Sequence, residues 1–248
     1  AGAVFSGDAG SSTKPASDSR ERDWLKWTAR SERWVIFAVL AAAVLLPFLF
    51  PALRIGQPPP AAFEPGSAAA AAAELVDSLP PGALVLVGMD YGPGASPELE
   101  PLADALLRHL LLRNAYPIVV SSNPATLARA QTLFDVILAD ADFVSRLDRD
   151  EPLDAGRDYA IANFLPGGAL GLRAFSEETA NLLVPALKDA LPAAYITGLD
   201  DFRLIAVLAD RTEDVRTWAE QVAPLADSPV IAGVTYSAAP LAEPYVAA

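Results

Sequence analysis

The chain has 248 residues, of which 52% are hydrophobic, and its formal net charge is −13. This length predicts one sizeable domain with appendages. The negative charge repels nucleic-acid phosphates, so we exclude nucleic acid as a partner. With no cysteine and one histidine, disulfides, thiolate zinc sites, Cys-ligated iron–sulfur clusters and His-rich metal sites are excluded. We therefore expect no cofactor and no bound metal.

Residues 34–53 contain no charged side chain. At a helical rise of about 1.5 Å per residue they would extend about 30 Å, the thickness of a bilayer's hydrocarbon core. The segment therefore predicts a single transmembrane helix, with the lipid bilayer as a partner. A buried core helix is one alternative. A cleaved signal peptide is another, but the long preceding segment favours an uncleaved anchor.

Aromatic and basic side chains before this segment predict how it sits in the membrane. Tryptophan favours the headgroup level, and Lys and Arg are enriched on the cytoplasmic side. We therefore expect a single-pass protein of the cell membrane with a cytoplasmic N-terminus and an extracytoplasmic main domain. The residues assigned to the membrane anchor are Trp24, Trp27, Arg30, Arg33 and Trp34.

Changes in composition divide the chain into four parts. Residues 1–33 are predicted to be a cytoplasmic, disordered and juxtamembrane tail, and 34–53 the transmembrane helix. Residues 54–66 form a Pro-rich linker, and 67–248 an extracytoplasmic α/β domain that we expect to be truncated at its C-terminus. Ser67 is a predicted N-cap for an Ala-rich helix, although a low-complexity linker is the alternative for the alanine run.

From residue 83 onward, short apolar runs alternate with helical periodicity. We predict strands at 83–89, 116–121, 158–164, 203–209 and 230–236. We predict helices at 97–114, 124–138, 168–175, 177–190 and 212–225. Such alternation predicts a three-layer α/β fold with a mostly parallel, Rossmann- or flavodoxin-like sheet.

Ligands of open α/β sheets bind beyond the carboxyl ends of the strands. The loops that follow the predicted strands therefore supply the candidate ligand-binding residues. These residues are Asp90, Tyr91, Gly92, Gly94, Ser121, Ser122, Asn163, Gly167, Gly168, Asp210 and Ser237.

Four features within or near these loops have a functional and a structural interpretation. The glycine-rich stretch 165–171 indicates either an anion site or a tight connection. Asp90 is either an acid or an acceptor for backbone N–H groups in its turn. His109 fits the edge of a packed helix better than catalysis. The acidic stretch 140–154 lacks the EF-hand pattern, and its interleaved arginines favour a solvated face over calcium binding.

The turn DYGPG at 90–94, the stretch NFLPGGALGLRAF at 163–175 and the segment SAAPLAEPY at 237–245 together resemble a group of uncharacterised bacterial membrane-anchored proteins. The resemblance covers roughly residues 80–248. It implies an N-terminal anchor, an extracytoplasmic Rossmann-like domain and membrane helices beyond Ala248. It implies no activity.

The sequence is compatible with three functions. The first is a non-catalytic accessory or scaffold subunit that presents the α/β domain within a larger membrane complex of other subunits. The second is an extracytoplasmic module that binds a small ligand through the strand-end loops. The third is a tethered metal-dependent hydrolase that uses Asp90 and Asp210, although no set of convergent catalytic residues is evident.

Overall fold

The computed structural model describes residues 34–46, 66–147, 149, 151–187 and 190–246. The chain divides into two compact units, residues 1–62 and 63–248. In the first unit, residues 34–46 form a helix, α1, whose side chains are almost all exposed. Residues 47–53 of the predicted span, the anchor residues before Trp34 and most of the predicted linker lie outside the described residues. Over the described ranges, no helix combines the length and apolarity needed to cross a membrane.

The second unit is built from alternating strands and helices. The strands are β1 Leu84–Asp90, β2 Tyr116–Ser121, β3 Ala160–Phe164, β4 Phe202–Ala209 and β5 Val230–Val234. The helices are α2 Ala68–Asp77, α3 Ser96–Leu112, α4 Pro124–Ala139, α5 Ala141–Val144, α6 Gly168–Glu177, α7 Thr179–Leu187, α8 Thr212–Gln221 and α9 Ala239–Val246.

The five strands form one parallel sheet in the order β3-β2-β1-β4-β5. The parallel α/β class is confirmed. The order matches five consecutive strands of the Rossmann order 3-2-1-4-5-6 and differs from the flavodoxin order, in which β1 lies between β2 and β3. The order reverses between β1 and β4, which makes their carboxyl ends the point at which this fold can bind a ligand.

Two hydrophobic clusters lie on opposite faces of the sheet and create the three layers. One contains α3 and α4 with alternate residues of β1, such as Val85 and Val87. The other contains α6, α7 and α8 with residues such as Leu86 and Ile205. Because β1, β2 and β4 are covered on both faces, nearly all their residues are buried, as their continuous apolar sequences predicted.

The local signals at helix ends behave as their chemistry predicts. Ser67 Oγ accepts a hydrogen bond of 3.1 Å from the Ala70 N–H, so the predicted N-cap of the Ala-rich helix is confirmed. Several helix boundaries differ from the predicted ones. The segment predicted as one helix over 177–190 is α7 alone, from Thr179 to Leu187, and α5 and α9 were not predicted.

Candidate functional site

The carboxylate of Asp90 lies at the end of β1, and the residue is only 3% exposed. Its Oδ1 accepts a hydrogen bond of 2.6 Å from the Ser122 N–H and lies 3.0 Å from Ser121 Oγ. Its Oδ2 accepts a hydrogen bond of 2.6 Å from the indole Nε1 of Trp218. Both carboxylate oxygens are therefore occupied by groups of the chain itself.

Trp218 reaches Asp90 because Gly88 of β1 has no side chain. The indole is 1% exposed, and a Cβ placed on Gly88 would lie 2.5 Å from Trp218 Cζ2. The sequence reasoning missed Trp218. The signal that was available is the glycine itself, because a glycine inside a buried strand often marks the close approach of another group.

The loop after β4 is joined to the loop after β1. Asp210 Oδ2 accepts a hydrogen bond of 2.8 Å from the Gly92 N–H, and the Asp210 N–H donates to the Asp90 carbonyl over 3.4 Å. Thr235 Oγ1, just beyond β5, donates to the Asp210 carbonyl over 3.4 Å and lies 3.2 Å from Ser237 Oγ. The ends of β1, β4 and β5 are thus linked by internal hydrogen bonds.

Arg211 and Asp214 form a bidentate pair beside this junction. Arg211 Nε and Nη2 donate to Asp214 over 2.8 and 2.9 Å. Burial raises the pKa of Asp214, and the charges of Asp90 and Asp210 act in the same direction, while Arg211 opposes them. The junction therefore combines three carboxylates with one guanidinium, which leaves it acidic.

A further carboxylate, that of Glu98, lies on the side of the β1–β4 junction nearest β5. Glu98, in the first turn of α3, accepts a hydrogen bond from the Tyr236 N–H. The Tyr236 side chain itself is exposed. A carboxylate in the first turn of a helix is favoured by the helix dipole, so Glu98 lies where an anionic ligand would otherwise be stabilised.

Tyr91, predicted to bind ligand, points into the core. The residue is 1% exposed, and its carbonyl accepts a hydrogen bond of 3.0 Å from Thr126 Oγ1. Burial, with a smaller contribution from Glu100, raises the pKa of Tyr91 to about 12. Its hydroxyl has no hydrogen-bond partner among the described groups.

The glycine-rich loop after β3 has a structural explanation. Gly167 precedes α6 with a φ of 101°, a left-handed conformation that glycine adopts without strain. A Cβ on Gly171 would lie 1.9 Å from the Pro166 carbonyl oxygen, so the loop folds tightly against its own helix. Asn163 at the end of β3 is exposed, and Gly168 opens α6.

The structure therefore separates the predicted residues into two groups. Loops after β1, β2, β4 and β5 meet at the β1–β4 junction. This group contains Asp90, Tyr91, Gly92, Gly94, Ser121, Ser122, Asp210 and Ser237. Asn163, Gly167 and Gly168 follow β3, which forms the far edge of the sheet.

The side chains that could ligate a metal lie apart from one another in the part of the chain that the structure describes. No group of three or more His, Asp or Glu side chains there is arranged to hold a metal ion. His109 Nε2 lies 3.0 Å from Asp77 Oδ1 at the surface. Asp140 in the acidic stretch caps α5 and pairs with Arg108 over 2.6 Å.

An open cleft of about 550 Å³ lies at the opposite, amino edge of the sheet. It is bordered by Leu84 and Tyr116, which begin β1 and β2, and by Arg149, Arg157 and Asp158. Asp158 accepts from Arg149 and Arg157 over 2.7 and 3.1 Å. Burial raises the pKa of Asp158, but the Asp154 N–H and both guanidinium groups outweigh it, so the pKa lies below its ordinary value.

Comparison with known protein families, with curated proteins and with solved structures found no match to this chain.

Proposed function

We propose that the chain is a non-catalytic accessory or scaffold subunit. In this proposal the segment 34–53 anchors it in the cell membrane, and the α/β domain lies on the extracytoplasmic side against other membrane-protein subunits. The uncharged segment and the Trp and Arg residues before it support the anchor and its orientation. One structural observation supports the absence of catalysis: the polar groups at the carboxyl edge of the sheet hydrogen-bond to one another.

The backbone N–H groups of the strand-end loops already have acceptors within the chain. In ligand-binding Rossmann domains such groups face the ligand. Here the Gly92 N–H donates to Asp210, the Ser122 N–H to Asp90, and the Tyr236 N–H to Glu98. A nucleotide or phosphate would have to displace a carboxylate from each donor.

The negative charge of the junction also disfavours anionic ligands. Carboxylates at these positions repel an incoming anion, and a displaced carboxylate would be left without its partner. Asp90 is buried, and an unpaired buried polar group costs about 1–3 kcal/mol; this cost does not extend to Glu98, which is exposed. The junction is therefore unfavourable for dinucleotides and other phosphate ligands.

The hydrogen bonds of Asp90 limit the chemistry that its carboxylate can perform. A tethered hydrolase needs Asp90 and Asp210 close together, and the two residues do follow neighbouring strands. However, both oxygens of Asp90 accept hydrogen bonds and the residue is buried. A metal or a substrate would therefore compete with Trp218 and Ser122, which makes the hydrolase the weakest of the three alternatives.

The second candidate remains a small-ligand-binding module. The cleft at the amino edge supports it, because about 550 Å³ falls within the range of roughly 300–1,000 Å³ typical of ligand pockets. That cleft lies away from the strand-end loops that the sequence indicated. Thermal-shift screening of the full chain with sugars, nucleotides and amino acids tests this candidate, and Arg157→Ala should abolish stabilisation by a ligand that binds in this cleft.

Gentle extraction tests the scaffold proposal. The tagged full chain is solubilised from its native membranes in mild detergent, purified and sized, and co-purifying proteins are identified by mass spectrometry. We expect one or more membrane proteins in fixed proportion to the chain. Recovery of the chain alone, or only with copies of itself, would contradict the proposal.

A further inference from the structure

The Ala-rich helix α2 packs into the domain mainly at its C-terminal end. Across Ala68–Asp77 only Val76 is buried, and Leu79, just beyond the helix, lies in the same core cluster. Residues 68–74 are exposed or half-buried. Segments that bury few apolar side chains have the lowest local stability in a fold. The N-terminal part of α2 can therefore move away from the sheet at low cost.

An open apolar pocket of about 370 Å³ lies between α2, α3, β4 and β5. Four alanines and Val76 line it from α2, while Leu102, Leu106 and His109 line it from α3. Alanine methyl groups are too short to fill a space of this size, so a gap remains between the N-terminal part of α2 and the sheet. This part of α2 covers the pocket without packing tightly against its floor.

A polar contact at the wall of the pocket links α2 to α3. His109 Nε2 lies 3.0 Å from Asp77 Oδ1. The hydrogen bond with His109 lowers the pKa of Asp77, so Asp77 is ionised throughout the range around pH ~6.5 in which imidazoles titrate. The contact is an ion pair when the imidazole is protonated. It is a weaker hydrogen bond from a neutral donor when the imidazole has lost its proton.

The charged groups around this contact leave His109 as the one that responds near neutral pH. Arg113, just after α3, lowers the pKa of Asp77 further, Arg108 is paired with two carboxylates, and Glu74 lies one turn before Asp77 on α2. Arginine and glutamate side chains keep their charge between about pH 5.5 and about pH 8. β4 and β5 line the pocket with apolar residues. His109 is the only histidine of the chain, so its proton sets the strength of the contact over this range.

We propose that α2 is a proton-controlled lid over this apolar pocket and that the His109–Asp77 contact is its clasp. The protonated clasp holds the lid closed, and loss of the proton makes α2 open more often, because the proton binds the closed form more tightly than the open form. An exposed ion pair contributes little, but α2 has few other contacts with the domain, so a small change alters how often it opens. This inference does not depend on the scaffold function, since it concerns the α/β domain alone.

Thiol labelling tests the lid, because the chain contains no cysteine. Ala73 lines the pocket, whereas Ala71 is exposed and, two positions away, lies on another side of the helix. Ala73→Cys therefore reports on the covered side of α2, and Ala71→Cys is the matched control. Each is made with and without His109→Gln, which keeps a neutral hydrogen-bond donor for Asp77 but cannot gain a charge. The full-length proteins are labelled in mild detergent with a pyridyl disulfide, and circular dichroism confirms that each is folded.

Comparison at the same labelled position cancels the pH dependence of the thiol itself. At about pH 5.5 the Ala73→Cys thiol should react roughly twofold to fivefold more slowly with His109 than with His109→Gln, the range expected for an exposed ion pair. At about pH 8 the two rates should agree. The Ala71→Cys thiol should react equally with and without His109→Gln at both pH values. Asp77→Asn, which removes the other partner of the clasp, should also abolish the slowing at acid pH.

Three results would each overturn the inference. Equal Ala73→Cys rates with and without His109→Gln at acid pH would show that the proton does not control access to the pocket. Equal slowing of the Ala71→Cys thiol would show that the effect is not specific to the covered side of α2. An Ala73→Cys thiol as reactive as the Ala71→Cys thiol at both pH values would show that α2 does not close. Co-purification of other membrane proteins is unaffected by any of these results, so the scaffold proposal is tested separately.

Discussion

The indole Nε1 of Trp218 donates a hydrogen bond of 2.6 Å to the carboxylate of Asp90 across the β1–β4 junction. The two residues are far apart in sequence, on α8 and at the end of β1, and both are buried. The contact fixes the orientation of the Asp90 carboxylate, which the sequence suggested as a candidate acid. The donor, Trp218, is a residue of the packed core. Asp90 thereby acts as an acceptor that holds the junction together.

We predict that Gly88→Ala destabilises the domain by about 1–3 kcal/mol, as overpacking of a tight core does. The added Cβ would lie 2.5 Å from the Trp218 ring, so the indole would have to move away from Asp90. Urea denaturation followed by circular dichroism measures the loss. Gly94→Ala is the matched control, because no heavy atom lies within 4 Å of a Cβ there. Equal stability of the two variants would refute this account of Gly88.

The hydrogen bond itself predicts non-additive effects. Trp218→Phe and Asp90→Asn should each lower the free energy of unfolding, and the double substitution should cost less than their sum. The expected coupling is about 1.5–3 kcal/mol, the range for hydrogen bonds to charged groups. A double-mutant cycle from urea denaturation measures it. Strictly additive losses would show that the contact contributes no pairwise energy.

We expect Asp210→Ala to loosen the loop after β1. Without the carboxylate, the Gly92 N–H loses its acceptor at 2.8 Å, and the expected loss of stability is about 1–3 kcal/mol. Hydrogen exchange of the Gly92 amide should become faster. Asp200→Ala, at an exposed position, controls for the change in charge. Unchanged Gly92 exchange in Asp210→Ala would contradict the role of Asp210.

The ion pairs at the amino edge predict a dependence of stability on pH. The pKa of Asp158 is lowered in the folded chain, so the carboxylate contributes stability above its unfolded pKa of about 3.9. This contribution is lost as the pH falls through the lower folded pKa. Asp158→Asn should therefore be destabilising at neutral pH, and the difference from wild type should shrink below about pH 4.

Thermal denaturation of Asp158→Asn and wild type across this pH range measures the effect. Asp200→Asn serves as the control. This substitution removes one exposed carboxylate charge but leaves the ion pairs of Asp158 with Arg149 and Arg157 intact. A difference between Asp158→Asn and wild type that stays constant from neutral to acid pH would contradict the assigned ion pairs.

The sequence predicted the strands well because buried parallel strands are continuously apolar. LVLVGMD and YPIVVS are covered on both faces and were recognised directly. Helix starts were also readable where a cap was present, as at Ser67. Strand order was not readable, because it depends on which helices cross which face of the sheet.

The internal hydrogen bonds of the junction were beyond sequence reasoning for a related reason. Asp90 was correctly placed at a strand end, but its partner Trp218 lies 128 positions away. Gly88 carried the only local trace of this contact. Likewise, nothing in the sequence around Asp210 indicates that its carboxylate accepts a hydrogen bond from the Gly92 N–H. Long-range polar contacts of this kind decide whether a strand-end loop is open to a ligand.

The scaffold proposal is tested most directly by the composition of the assembly extracted gently from native membranes. The tagged full chain should co-purify with other membrane proteins in constant proportion, and an Asp90→Asn variant shown to be folded by circular dichroism should keep the same partners because the account assigns no chemistry to Asp90. A chain that elutes without other proteins, while it hydrolyses or binds a small molecule in an Asp90-dependent manner, would contradict the account.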